Sequence, residues 1–317
     1  MKKLNIGILG PGTVGGGAYE ILTKNHDLIQ KRTGVSLQVV KILTRRSRPD
    51  LPADLLTDDP DDILNNPDVD VVVETIGGIQ PAASFMLQAM NHGKHVVTAN
   101  KAAVAAEYRE LTKTAAQNNV KFLFEASVGG GIPVLTSIEG ALSGNNFLEV
   151  MGIVNGTTNY ILTKMTEEGS DYSEVLKDAQ EKGFAEADPT SDVEGIDAAN
   201  KLCILMALLF DKYVAPSEIP TTGISKITGA DIASAASEGC KIKLIAHAAL
   251  KNGQVVCSVA PERIPDSHPL AGVSNEFNAV YITGDMVGEV MLYGKGAGAL
   301  PTGSAIVGDI ISIAKEL

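Results

Sequence analysis

Three short stretches of this 317-residue chain hold residue types at spacings that can do chemistry. Gly10, Gly12 and Gly15 form G-x-G-x-x-G, directly after the apolar run LNIGIL (4–9) and before a helical pattern through Ala18, Ile21 and Leu22. Glycines at this spacing allow a tight turn and let the backbone approach a pyrophosphate. The helix start adds free N–H groups and the positive end of its dipole. A lone match is weak; the strand–turn–helix setting is what points to a dinucleotide. The second stretch is GFAEADPTSDVEGIDAANK (183–201), in which Asp197 and Lys201 lie four apart and so share one helix face. The helix beyond them is apolar almost all round and should be buried, so polar groups at its mouth need partners. Either this is a helix-stabilising surface pair, or carboxylates hold a substrate ammonium while the lysine handles an oxygen. The density of acids ahead of the helix favours the second reading. The third stretch is Lys101, in TANK at the end of the strand HVVTA (95–99). Ligands of open α/β sheets gather beyond the carboxyl ends of strands, which places Lys101 near a nicotinamide. By itself it reads equally well as a surface lysine at a helix start.

The nucleotide's identity has its own signal. The end of the second strand of such a fold normally carries an acid that bonds the ribose 2′-hydroxyl of NAD. Here that end reads Thr44-Arg45-Arg46-Ser47-Arg48, with no acid before Asp50. A guanidinium binds phosphate in a bidentate manner, so Arg45 and Arg46 favour NADP. The plain alternative is solvated surface charge.

The elements that must position these groups follow from periodicity. Strands are expected at 4–9, 37–44, 69–76, 95–99 and 120–127, with helices between them, including 61–65, 81–91 and 103–118. Near-continuous apolar strands alternating with helices indicate a doubly wound parallel sheet of the Rossmann type over residues 1–133. After Pro133 the rhythm changes. Helical patterns appear at 134–143, 156–168, 172–182 and 193–210, and strand-like runs at 148–154, 254–260 and 279–292, so 134–293 reads as an α+β domain. The apolar stripes 202–210 and 244–250 read as core or subunit contact. A Gly-rich loop at 294–303 leads into a last helix ending near Leu317, and 294–317 is expected to pack back on the first domain.

Composition sets outer limits. Apolar residues are 44% and charged residues 20%, as in a folded globular protein. The net charge of −12 and the absence of tryptophan argue against a nucleic-acid or anionic-membrane binder. The longest apolar run, 202–210, is too short for a membrane span, and Gly and Pro break the N-terminal run before a signal peptide can form. Cys203, Cys240 and Cys257 make neither CxxC nor an even disulfide set, which fits a reduced cytoplasm. The histidines form no zinc-type spacing.

Taken together, the motifs resemble homoserine dehydrogenase along essentially the whole chain. They are ILGPGTVGGG (8–17), VVVETIGG (71–78), HVVTANKA (95–102), FEASVGGGIPV (124–134), IVNGTTNYIL (153–162), the 183–202 segment and YGKGAGALPTGSAIVGDI (293–310). The resemblance implies NAD(P)-dependent interconversion of L-homoserine and L-aspartate 4-semialdehyde, in threonine and methionine biosynthesis, by a homodimer. It also implies roles. Lys201 matches the proton donor and acceptor, and Lys101 a second active-site lysine. Glu186 and Asp197 match substrate-binding carboxylates, with Asp192 as a supporting acid and Gly156 and Thr157 as the turn beside the substrate. The cofactor set is Gly10, Gly12, Thr13, Val14, Gly15, Arg45, Arg46, Thr75, Gly77 and Lys101, with Gly183 and Gly298 beside the nicotinamide. Glu125, Val128, Gly130 and Ile132 match a sodium or potassium site built mainly of backbone carbonyls. Two departures stand out. Phe184 replaces a common tyrosine, which removes one hydroxyl from the substrate's surroundings. The chain also stops soon after 308–310, so inhibition through a C-terminal ACT domain is expected to be absent. Two rival readings remain at this level: a non-catalytic NADP sensor, and a semialdehyde dehydrogenase with a cysteine nucleophile.

Overall fold

The structure, a computed structural model, describes residues 2–316. The chain divides into two compact units: one runs to Gly131 and resumes at Ala297, and the other is Ile132–Gly296.

In the first unit the strands are β1 (Lys2–Leu9), β2 (Val35–Leu43), β3 (Leu56–Thr57), β4 (Val71–Glu74), β5 (His95–Thr98) and β6 (Phe122–Leu123). All pair in parallel, in the order β3-β2-β1-β4-β5-β6, the order of a Rossmann-type nucleotide-binding sheet. Val71, Val72 and Val73 are fully buried, as expected of a strand covered on both faces. The connecting helices are α1 (Thr13–Lys24), α2 (His26–Thr33), α3 (Asp61–Leu64), α4 (Ala82–Asn91) and α5 (Lys101–Gln117). The strand expected over 120–127 shrinks to two residues. After Leu123 the backbone turns into a short 3-10 helix, in which Ser127 Oγ donates to the Phe124 carbonyl at 2.6 Å.

The second unit is built on a five-stranded sheet. Its elements are α6 (Val134–Glu139), β7 (Phe147–Ile153), α7 (Gly156–Glu168), α8 (Tyr172–Glu181), α9 (Thr190–Val193), α10 (Ile196–Phe210), α11 (Gly229–Ser237), β8 (Cys240–Lys251), β9 (Gln254–Pro265), β10 (Phe277–Gly284) and β11 (Gly288–Lys295). The order is β11-β10-β7-β8-β9, antiparallel throughout. Two expectations are corrected here, and a third gains its element. The helix read over 193–210 breaks at Gly195, whose φ of +81° ends α9 and starts α10. The strand read over 279–292 is a hairpin, turned at 285–287, where Asp285 accepts from Asn146 N at 3.0 Å and Nδ2 at 2.7 Å. The apolar stripe 244–250 belongs to β8, a twelve-residue strand joined to β9 through Asn252 and Gly253, both at positive φ. That is the backbone a two-residue hairpin turn requires.

His247, on β8, sets a test of pH dependence. Its Nε2 lies 2.7 Å from Glu149 Oε1 and its Nδ1 lies 3.5 Å from Glu262 Oε1. Glu262, helped by Glu149 and opposed by burial, raises its pKa above the ordinary 6.5. The folded state thus holds the proton more tightly. The stabilisation is complete below the unfolded value and is lost as pH climbs through the folded one. His247→Gln is expected to cost about 1 kcal/mol or less at pH 6 and still less near pH 9. Melting curves at both values check this; an equal loss at both would remove charge from the explanation.

The chain then returns to the first unit as α12 (Ala299–Lys315); residue 317 lies outside the described residues. Ile306, Val307, Ile310 and Ile313 recur at helical spacing and join Leu4, Ile6, Ile8, Ala18 and Leu22 in one core cluster. The contact of α12 with α1 is close. A Cβ on Gly17 would fall 2.0 Å from the Ala299 carbonyl oxygen, and one on Gly303 would fall 2.7 Å from Ala18 N. Asp309, buried on α12, accepts from Glu125 N at 3.0 Å.

Candidate active site

In the first unit the Gly-rich turn sits at the carboxyl end of β1. Gly10 has φ +97°, and a Cβ on Gly15 would come within 2.2 Å of the Gly10 carbonyl oxygen. A Cβ on Gly12 would meet nothing within 4 Å. The turn is therefore tight on its inner side and open at Gly12, the N-cap of α1, where no side chain caps the helix. That leaves first-turn N–H groups, those of Thr13 and Val14 among them, for a pyrophosphate. Thr75, just past β4, braces the turn by donating through Oγ1 to the Gly10 carbonyl at 2.6 Å. Gly77 and Gly78 follow at φ +86° and +72°. Arg45 and Arg46 are exposed just past β2. Arg48 reaches back over the turn and donates to the Pro11 carbonyl, while its Nε and Nη2 bond the Asp50 carboxylate at 2.9 and 2.7 Å. This guanidinium holds the Asp50 carboxyl down at about 2.

A buried carboxylate joins the neighbouring loops. Glu74, with no solvent exposure, accepts from Ile76 N and from Thr98 Oγ1, each at 2.7 Å. Burial pushes its carboxyl above the ordinary range, and these donors oppose the rise. Asn100 continues the network. Its Nδ2 donates to the Gly78 carbonyl at 2.7 Å, and its Oδ1 caps α5 by accepting from Ala103 N at 3.1 Å. Lys101 is the first residue of α5 and is half-buried. Glu125 and Val128 are buried, and Gly130 has φ +58°. Gly298 is the N-cap of α12, at φ +119°.

In the second unit the largely buried helix α10 presents its first two turns to the end of β7. Lys201 Nζ lies 2.6 Å from Asp197 Oδ2 and 2.6 Å from the Val154 carbonyl oxygen. The side chains of this pair are 10% and 3% exposed, so it is a buried ion pair and not a surface one. Asn155 stands between the acids. Its Nδ2 donates to Asp192 Oδ1 at 2.7 Å and to Asp197 Oδ2 at 2.9 Å. Thr157 Oγ1 reaches the Phe184 carbonyl at 2.6 Å and Asp192 Oδ2 at 3.2 Å. The backbone is crowded at Gly156, where a Cβ would lie 2.8 Å from the Glu276 carbonyl oxygen. Gly183, at φ +77°, opens the exposed loop that carries Glu186. Gln180 holds the main-chain carbonyl of Glu186 at 3.0 Å, and among the described residues nothing holds its carboxylate. Phe184 leans on Tyr160, ring centroids 4.9 Å apart. Ile132, the remaining residue of the expected cation set, is the first of this unit.

The structure thus gathers Thr157, Asp192, Asp197 and Lys201 into one network, with Gly156 beside it and Glu186 outside it. Sequence reasoning passed over Glu74 and Asn155, and read Arg48 only within the run of arginines after the second strand. Asn155 was findable, since Asn directly before Gly-Thr-Thr is a helix N-cap pattern.

Residues 133–311 match the family model for homoserine dehydrogenase, and residues 10–125 match that for the homoserine dehydrogenase NAD-binding domain. The homoserine dehydrogenase of Bacillus subtilis (strain 168) is 46% identical over 100% of this chain and 74% of its own length. A crystal structure of a homoserine dehydrogenase from Thiobacillus denitrificans superposes with a TM-score of 0.97 at 42% identity, covering 99% of this chain and 74% of that one. A hyperthermophilic archaeal homoserine dehydrogenase in complex with NADPH superposes with a TM-score of 0.83 at 28% identity, covering 99% and 98%. The chain belongs to the homoserine dehydrogenase family of NAD(P)-dependent oxidoreductases.

Proposed function

We propose that Lys201 moves the proton in the interconversion of L-homoserine and L-aspartate 4-semialdehyde, with NADP as the preferred nucleotide. The observation that carries this reading is the buried Lys201–Asp197 pair, held on its other side by the Val154 carbonyl. The bound nicotinamide supplies or accepts the hydride. In the reductive direction the Lys201 ammonium stabilises the alkoxide forming at the substrate and donates its proton there; in the other direction the neutral amine takes it back. Lys101 is the second lysine assigned to that oxygen. Asp197 Oδ2 already holds Lys201, so Glu186, on its exposed loop, is the main partner for the substrate ammonium, with Asp192 and Thr157 shaping the turn. Gly183 and Gly298 are assigned to the nicotinamide end.

Several observations support the remaining assignments. Exposed Arg45 and Arg46 suit a 2′-phosphate. The carbonyls of Glu125 and Ile132 each accept one backbone hydrogen bond, from Val128 N and Val134 N. We assign a sodium or potassium ion to the backbone carbonyls of Glu125, Val128, Gly130 and Ile132, the hard oxygen donors such a cation takes. A homodimer formed through the second unit, acting in the cytoplasm, completes the reading. No helix among the described residues is long and apolar enough to cross a membrane. The cysteine-nucleophile alternative loses ground at Cys203, which is buried with its thiol pushed up to about 12.

Reduction of NADP⁺ by L-homoserine, followed by absorbance, is the direct test. Replacing Arg45 and Arg46 together by alanine is expected to raise KM for NADP⁺ about tenfold or more, since charge-assisted phosphate bonds are lost. KM for NAD⁺ should stay within about twofold. Equal changes for both nucleotides would place the 2′-phosphate elsewhere.

A further inference from the structure

We propose that Asn155 is a positioning residue for the proton-transferring lysine: its side-chain amide spans two carboxylates and fixes the oxygen to which Lys201 is bound. This rests on the assignment of proton transfer to Lys201.

The hydrogen-bond inventory of Asn155 decides its orientation. Its Oδ1 accepts from Thr158 N at 2.9 Å and lies 3.0 Å from Thr158 Oγ1. A backbone N–H only donates, so the carbonyl end of the amide must face α7. The NH₂ end must then face the acids, and its two protons go one to Asp192 Oδ1 and one to Asp197 Oδ2. Flipping the amide would set a carbonyl oxygen against two carboxylates. The residue is 6% exposed, with both amide protons and its Oδ1 engaged.

This geometry gives the amide a second task beside capping α7. Asp197 Oδ2 receives both the Asn155 amide and the Lys201 ammonium, so the carboxylate cannot swing without breaking a buried bond. Asp192 Oδ1 is held by the Asn155 amide, and its Oδ2 lies 3.2 Å from Thr157 Oγ1, whose one proton also faces the Phe184 carbonyl at 2.6 Å. Without the amide, Asp192 Oδ1 and Asp197 Oδ2 each lose a donor, and the carboxylate that anchors Lys201 is less tightly oriented. The effect therefore reaches the chemical step through Lys201, with no contact between Asn155 and the nucleotide required.

Two substitutions separate positioning from capping. Serine and aspartate both cap a helix about as well as asparagine, so Asn155→Ser and Asn155→Asp keep the bond from Thr158 N and the fold. Serine cannot donate to both acids, and aspartate sets a third carboxylate against them. The expected result is a kcat lowered about tenfold or more in Asn155→Ser and further in Asn155→Asp. The NADPH dissociation constant, read by fluorescence titration, should stay within about twofold. In a Lys201→Ala background, adding Asn155→Ser should lower the residual rate no further. Normal kcat in both single variants would leave Asn155 as a cap and overturn the proposal. An effect of Asn155→Ser that is undiminished in the Lys201→Ala background would overturn it as well. Near-normal turnover in Lys201→Ala alone would instead strike the underlying reading of Lys201.

Discussion

Replacing Lys201 by alanine is expected to lower turnover by about 10³-fold, within the range for loss of a positioned general acid or base. The largely buried ammonium lies 2.6 Å from both Asp197 Oδ2 and the Val154 carbonyl oxygen. Thr157 and Asn155 face Asp192 and Asp197 with neutral groups. Binding of NADPH should be nearly unchanged, because the Gly-rich turn and its braces belong to the other unit. Steady-state rates in both directions, together with a fluorescence titration of NADPH, check the two halves separately. Turnover within a factor of about ten of the parent would end the assignment. Removing the lysine also leaves Asp197 buried with its counter-charge gone, so a lower melting midpoint should accompany the loss.

The second large effect is structural. Gly17→Ala puts a methyl group 2.0 Å from the Ala299 carbonyl oxygen, a backbone atom that cannot rotate away. Either α1 or α12 must shift, and overpacking of this kind costs about 2–3 kcal/mol. The midpoint should fall by roughly 5–10 °C. Gly308→Ala, on the exposed side of the same helix α12, meets nothing within 4 Å. It should stabilise by about 0.5–1 kcal/mol by removing a flexible residue from a helix. Opposite signs from two Gly→Ala changes contacting or lying on one helix would isolate the close approach as the cause. A Gly17→Ala variant as stable as the parent would show that the contact can relax.

The legible parts of the molecule were those with a single dominant signal. The valine run of β4 and the turn Gly10–Gly15 announced themselves, because buried parallel strands and phosphate turns tolerate few alternatives. The Asp197–Lys201 pair was visible from spacing alone, although spacing could not tell a surface pair from a buried one. The second unit was harder. In β8 both faces are largely covered, as Ile242, Lys243, Leu244, Ile245 and Ala246 show, so period-two alternation vanished and a twelve-residue strand read as a stripe. The Asn252-Gly253 turn was the available clue. Lys243 made the segment harder still: it is buried, with burial pushing its ammonium down to about 8, and bonds the Val273 carbonyl at 2.6 Å and Asn159 Oδ1 at 3.1 Å. Glu74 escaped notice for a related reason. A carboxylate within an apolar strand looks like that strand's exposed end until the donors folded over it, Ile76 N and Thr98 Oγ1, are seen.

The return of α12 to the first unit bears on the order in which the protein can be made. When a ribosome has released residues up to Gly131, Leu4, Ile8 and Leu22 still lack Ile306, Ile310 and Ile313, which lie about half a chain length downstream. The unit begun first is therefore finished last. The stretch from Ile132 to Gly296 carries every strand of its own sheet and can close while the earlier one waits with an apolar face uncovered. During synthesis, that waiting interval is when the nascent chain is most open to wrong associations.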